Sequence, residues 1–329
     1  MAFTPEFGTG FEMGSIESIA SGNRSAAYIE TTTVKTGTYS ARIRGAAGST
    51  DGWIRFPKAS SAYLDVGAWL YPHSGANGQR IEAVLADGNV VGVRWYSTTK
   101  TWDFYINDVL IESGTRVTAV STWQHVQLRV FVDGSGYIQT KVDGVDDIDY
   151  SGDTQPAASA VISYLRFLTT GSVNIAYNLY VDDIAFGEDD WPGDIRFDAL
   201  MPNGDDSVEW TPSTGLDNYA LVDERPPSTV DYVSTSGPGL TDKYALGDWS
   251  GTAKTPQFVM AWAYAKKDTA GDIQLQLLVD SNGDEDVSAA LDLSTSDAYY
   301  SHLVAQDPDV LDVWTDSAID ALKIGIRSA

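Results

Sequence analysis

The chain has no cysteine. That excludes a disulfide framework, a thiolate metal site and a cysteine nucleophile. Its three histidines, His73, His125 and His302, stand far apart, and none has a metal-ligand spacing such as His-Glu-x-x-His. Positive charge is scarce: 21 Lys and Arg face 46 Asp and Glu, a formal charge of −25. Such a surface repels phosphate backbones, so nucleic acid is not an expected partner. No apolar run is long enough to span a bilayer, so membrane insertion is not expected. The opening Met1-Ala-Phe-Thr-Pro-Glu6 has neither a basic region nor an apolar core, and synthesis in a cytoplasm without a secretory signal is expected. No Gly-x-Ser-x-Gly elbow and no phosphate-cradling glycine loop is present.

Helical periodicity is also nearly absent, and strand formers take its place. There are 17 Tyr, 10 Trp and 10 Phe, and most of the 30 Gly and 12 Pro fall between alternating runs. This is an all-β pattern. The stretch from Thr122 to Asp153 is its clearest part. Val126-Gln-Leu-Arg-Val-Phe-Val132 and Tyr137-Ile-Gln-Thr-Lys-Val142 alternate with period two about an Asp133-Gly134-Ser135-Gly136 break, and Asp143-Gly144 makes a second turn into Val145. Three consecutive antiparallel strands follow from that spacing.

At 329 residues the chain has room for two domains. We expect the first over residues 1–187, an acidic linker over 188–193 (Glu188-Asp-Asp-Trp-Pro-Gly193), and the second over 194–329. Strands are expected at Ser25–Thr32, Thr38–Arg44, Trp53–Phe56, Tyr63–Tyr71, Arg80–Leu85, Val90–Tyr96, Thr101–Ile111, Tyr164–Thr169 and Ile175–Phe186, with turns at Asp87-Gly88-Asn89 and Asn107-Asp108. In the second unit a Pro/Gly/Ser/Asp-rich stretch runs from Met201 to Gly251, and loops that long are usually functional or interfacial. Thr315 is placed to cap a short helix.

The Trp123-x-His125-Val126 opening, followed by strand, turn, strand and Val142-Asp143-Gly144, resembles the laminin G-like and concanavalin A-like jelly-roll superfamily. The resemblance implies an N-terminal jelly-roll sandwich; the strand pattern of the second unit is expected to make a smaller C-terminal β-sandwich. The resemblance also implies binding of sugars or proteins, with catalysis only in some branches. Gly10-Phe11-Glu12 and Val181-Asp182-Asp183-Ile184 match a pattern in which a structural Ca²⁺ joins the first and last strands. Glu12, Asp182 and Asp183 would be its ligands, helped by carbonyls near Lys35-Thr36-Gly37. The other reading of these carboxylates is that they cap strand ends by accepting from backbone amides. The hydrolase branch carries its two carboxylates in a Glu-x-Asp-x-x-Glu run. No such run is present, and the chain is therefore expected not to be an enzyme.

Two further patterns are candidates for a site. Asp280, Asn282, Asp284 and Asp286 have the spacing of calcium-loop ligands. Glu285 and Leu291, however, replace the required Gly and Glu. A hairpin turning at Asn282-Gly283 fits better. Aromatic residues crowd the strands around Trp95, Tyr96, Trp102, Phe104 and Tyr105. Trp95, Trp102 and Tyr105 are candidates for stacking on sugar rings, against the alternative that a strand Trp is core.

The second unit carries its own resemblance. Asp194-Ile-Arg-Phe-Asp-Ala-Leu-Met-Pro-Asn-Gly204, Trp210-Thr-Pro-Ser-Thr-Gly215, Asn218-Tyr-Ala-Leu-Val-Asp-Glu224, Pro226-Pro227 and Ile319-Asp-Ala-Leu-Lys-Ile-Gly-Ile-Arg327 resemble a module of structural proteins from tailed bacteriophages. The resemblance implies a virion component on capsid or tail, working through contacts with other virion proteins. Arg225, Pro226, Pro227 and Pro238 are the expected subunit contact. The alternative is a carbohydrate-binding module that adheres to host-surface glycans.

Overall fold

The computed structural model describes residues 2–19, 24–45, 51–73, 77–170, 177–215, 217–249 and 255–329. The first residues of the strand expected from Ile175 lie outside the described ones. The chain divides into two compact units. One comprises Met1–Glu12 and Ile19–Phe197, the other Met13–Ser18 and Asp198–Ala329. Among the described residues no helix is long and apolar enough to cross a membrane.

The first unit contains, in chain order, β1 (Thr4–Thr9), β2 (Arg24–Ser25), β3 (Ala27–Glu30), β4 (Ser40–Gly45), β5 (Gly52–Ser61), β6 (Tyr63–Pro72), β7 (Asn77–Leu85), β8 (Val90–Tyr96), β9 (Trp102–Ile106), β10 (Val109–Glu112), β11 (Gln124–Phe131), β12 (Gly136–Val142), β13 (Val145–Gly152), β14 (Ile162–Thr169) and β15 (Tyr177–Glu188). They form two antiparallel sheets. The eight-stranded sheet has the order β13-β12-β11-β6-β15-β4-β3, with β1 paired to β15; the seven-stranded sheet has the order β10-β9-β8-β7-β14-β5-β2. The last strand returns beside the first, as the jelly-roll expectation required: Thr4 pairs Glu188 and Thr9 pairs Ile184.

Alternation explains both sheets. On β11, Val126, Leu128 and Val130 are fully buried while Arg129 points away from the core. On β5 the buried side is Ile54 and Phe56. Each such side chain contributes about 1.5–3 kcal/mol by leaving water. Phe56 joins the sheets, with ring centroids 6.2 Å from Phe167 and 6.0 Å from Phe186. Two-residue turns fix the registers. Val142 pairs Val145 across Asp143-Gly144, whose φ values are 51° and 77°. Ile106 pairs Val109 across Asn107-Asp108, at 45° and 67°. Left-handed conformations at both central positions suit a strand-joining turn, and Asn, Asp and Gly accept them most readily.

The second unit contains β16 (Pro202–Ser207), β17 (Thr211–Pro212), β18 (Val233–Ser234), β19 (Thr241–Leu246), β20 (Val259–Ala265), β21 (Gln274–Ser281), β22 (Asp284–Val287), β23 (Leu291–Asp292), β24 (Ala298–Val304), α1 (Asp316–Asp320) and β25 (Lys323–Ser328). A six-stranded sheet, β16-β19-β25-β21-β22 with β23 on β21, is joined by a β20–β24 ribbon. Leu275, Leu277 and Val279 of β21 pack with Ala261 and Val304 of the ribbon and with Trp314, Ile319 and Leu322 around α1. This is the smaller sandwich. The expected helix forms where Thr315 accepts the Ala318 N–H. The hairpin at Asn282-Gly283 also forms, with Ser281 paired to Asp284.

Candidate functional site

The two outer faces of the first sandwich differ in what lies on them. Over the eight-stranded sheet the chain's own residues 189–194 are laid down. Trp69 donates its indole N–H to Asp194 at 2.9 Å, and the Gly193 N–H donates to the Gln127 side chain at 2.8 Å. Trp191 is flanked by Lys141 at 4.7 Å and Arg129 at 5.5 Å from its ring centre. Gly67 makes room beneath, since a Cβ there would approach the Gly193 carbonyl to 3.3 Å. The stretch expected as a linker, 188–193, therefore packs within the first unit.

The outer face of the seven-stranded sheet presents side chains instead. Strand register sets them in two adjacent rows. One runs Arg55, Arg166, Glu82, Gly92, Tyr105 across β5, β14, β7, β8 and β9; the other runs Trp53, Leu168, Arg80, Arg94, Asp103 across the same strands. Four strand spacings make each row about 19 Å long. Gly92 is obligatory, because a Cβ would fall 2.1 Å from the Ile81 carbonyl oxygen. Its missing side chain leaves a hollow lined by Arg80, Glu82, Arg94, Tyr105 and Asp108.

Hydrogen bonds and ring contacts hold these groups. Arg166 donates from Nε to Glu82 at 2.7 Å, and Arg80 donates to the other Glu82 oxygen at 3.2 Å. Asp108, on the β9–β10 turn, bridges Arg94 and Arg80, the latter at 2.9 Å. Arg94 lies 4.4 Å over the Tyr105 ring and donates to the Tyr96 hydroxyl at 3.2 Å. The Tyr105 and Tyr96 hydroxyls are 2.9 Å apart. Arg55 lies over Tyr164 at 4.4 Å and Trp53 at 5.2 Å. Burial tends to raise the Asp108 carboxyl, but the two guanidiniums outweigh it and hold it below its ordinary value. Burial and the bond to Tyr96 push the Tyr105 hydroxyl up, so it stays protonated at neutral pH. The arrangement offers flat aromatic faces, forked cationic donors and neutral hydroxyls. Those groups stack on rings and bind hydroxyl and carboxylate oxygens.

Two of the three expected stacking residues are core. Trp95 and Trp102 are 0% exposed. Their indole N–H groups donate inward, to Thr118 and Gln124, both at 3.0 Å. Neither can meet a sugar, because strand alternation turns them between the sheets. Tyr105 alternates to the outer face and belongs to the rows above. The largest aromatics on β8 and β9 lie on the core side. The missed signal was arginine at outward positions of neighbouring strands, namely 55, 80, 94 and 166.

Glu12, Asp182 and Asp183 do converge on the 35–39 loop, but they meet its amides and the Thr36 hydroxyl rather than its carbonyls. Glu12 accepts the Thr38 and Tyr39 N–H groups at 3.0 and 3.1 Å. Asp182 accepts those of Lys35 and Thr36 at 2.9 and 3.3 Å. Asp183 accepts the Thr36 hydroxyl at 2.7 Å and the Phe197 N–H at 2.9 Å. Burial raises both aspartates, and Asp183 adds to the shift at Asp182. Their oxygens are directed to separate donors, a poor fit to calcium's single shell of oxygens. Among the described residues no group of three or more His, Cys, Asp or Glu side chains is arranged to hold a metal ion. Of the expected contact residues in the second unit, Pro226 and Pro238 are exposed while Arg225 and Pro227 are half-buried.

No protein-family model matches this chain, and no curated protein matches its sequence. Solved structures do match. A fungal endo-β-1,4-glucuronan lyase from Trichoderma reesei is 11% identical with a TM-score of 0.43, over 56% of this chain and 96% of the other. A Bacillus subtilis protein of unknown function with a galectin-like fold is 8% identical with a TM-score of 0.42, over 56% and 97%. The carbohydrate esterase of Shiga toxin-encoding bacteriophage phi24B is 13% identical with a TM-score of 0.42, over 56% and 98%. The likeness is one of fold, a galectin-like jelly-roll sandwich. The expectation that the chain is not an enzyme is corrected by these neighbours, which include a lyase and an esterase. That expectation rested on a missing Glu-x-Asp-x-x-Glu run, the mark of one hydrolase branch and no guide to other chemistries.

Proposed function

We propose that this protein binds carbohydrate chains on the outer face of its seven-stranded sheet. The observation that carries the reading is the pair of cross-strand rows, in which Trp53, Tyr105 and four arginines share one surface. Neighbouring Tyr96 and Tyr164 add two more aromatic groups through their contacts with Arg94 and Arg55. Aromatic faces cover the apolar faces of pyranose rings, and arginine forks satisfy ring substituents. The face spans a few linked sugars. The test is a glycan panel against wild type and Tyr105→Ala. Tyr105 lies on the solvent side, so the variant is expected to keep its melting temperature within a few degrees and lose about tenfold in affinity. Unchanged affinity for every bound glycan would refute the site.

A virion setting is the second reading. It is supported by the loop over residues 222–232 that leads into β18, where Pro226, Val230 and Tyr232 present apolar surface, Val230 at 84% exposure. Deleting residues 226–239 is then expected to leave a folded protein that no longer enters particles. Normal incorporation of the deletion would remove this reading.

A further inference from the structure

We propose that the ligand of this face is an acidic sugar chain, and that Asp108 is a built-in occupant which a uronate carboxylate displaces. The proposal rests on the carbohydrate-binding reading above and names its ligand class. Arg80 and Arg94 stand directly opposite each other on β7 and β8. Like charges in that position repel unless an anion lies between them. Asp108 supplies the anion from a two-residue turn, with its side chain 65% exposed. Glu82 is not interchangeable with it: that side chain is 5% exposed and also holds Arg166. Arg80 and Arg94 each keep a buried Nε–H without a hydrogen-bond partner.

Charge placement points the same way. The rows and their turn carry four arginines against the carboxylates Glu82, Asp103 and Asp108. This is a local cationic excess on a chain whose net charge is −25. Hydroxyl groups of a neutral sugar need no such concentration of guanidinium. A carboxylate does, because it accepts two parallel N–H bonds from one fork. Tyr105 beneath Arg94 holds that fork flat to the surface. A uronate carboxylate could take the place of the Asp108 carboxylate, leaving Asp108 to solvent.

The experiment is titration calorimetry with a glucuronate tetramer and with the same tetramer after carboxyl reduction. Wild type, Asp108→Asn and Arg94→Gln are compared at low and physiological salt. The wild type is expected to bind the acidic chain about tenfold more tightly than the reduced one, with the preference shrinking as salt rises. Asp108→Asn is expected to tighten acidic-chain binding several-fold, and Arg94→Gln to abolish the preference. Asn is accepted at the turn's φ of 67°, so Asp108→Asn carries the test even if Arg94→Gln fails to fold. Equal affinity of the wild type for both chains would overturn the acidic class while leaving carbohydrate binding intact. Weaker acidic-chain binding by Asp108→Asn would overturn displacement. Binding of neither chain, with no other glycan bound, would remove the underlying reading as well.

Discussion

Trp102→Ala separates a core residue from a binding residue. Trp102 is 0% exposed and donates its indole N–H to Gln124 at 3.0 Å. Gln124 in turn donates to the Ala119 carbonyl at 2.8 Å, so the indole helps to hold the loop that enters β11. Truncating a buried Trp costs about 3–5 kcal/mol. Leaving the Gln124 oxygen without a donor adds about 1–3 kcal/mol. The sum is a large part of the roughly 5–15 kcal/mol that holds a domain folded. For a domain of this size each kcal/mol shifts the melting temperature by about 2–4 °C. The drop should therefore be at least about 10 °C by scanning calorimetry, and Trp102→Phe, which keeps most of the volume, should lose much less. A Trp102→Ala protein that melts with the wild type yet loses glycan binding would refute the placement of this side chain.

Two further outcomes follow from buried carboxylates. Asp242 is 0% exposed and accepts from the Glu209 and Trp210 N–H groups, the Asn218 amide and the Tyr244 hydroxyl, at 2.7, 2.8, 2.6 and 3.1 Å. Asp242→Ala should destabilise the second unit by about 3–5 kcal/mol in urea denaturation, and a loss under about 1 kcal/mol would contradict that role. Asp65 is pushed up to about 6 by burial, against the opposing effect of the Arg129 guanidinium 3.0 Å away. A raised carboxyl favours the folded state while protonated. Its stabilisation is present below about pH 4 and lost as pH rises through about 6. Relative to Asp65→Asn, the wild type should lose melting temperature between pH 4 and 7, and a constant difference over that range would contradict the assignment.

Much of the fold was legible because burial in a sandwich writes itself into alternation. Val126, Leu128 and Val130 on β11 and the turns at Asp143-Gly144, Asn107-Asp108 and Asn282-Gly283 needed only local chemistry. In the second unit the short helix was legible from its cap, where Thr315 accepts from Ala318. The site was less legible. Each row is a product of register between strands distant in sequence, such as Arg166 beside Glu82 and Tyr105 beside Gly92. A large aromatic on a strand draws notice, yet Trp95 and Trp102 went to the core because that is where their area is buried. The carboxylates Glu12, Asp182 and Asp183 meet around one loop. Which backbone group they would meet depends on the loop's turn, with Gly37 at φ 62° turning its neighbours' amides toward them.

The most direct measurement is nuclear magnetic resonance of the arginine Nε–H groups during titration with the glucuronate tetramer. Binding on the seven-stranded sheet should shift Arg80 and Arg94 first, with Arg55 and Arg166 following and Arg129 on the opposite sheet unmoved. Shifts confined to Arg129, with Arg80 and Arg94 unchanged, would place the ligand on the other face and contradict the site.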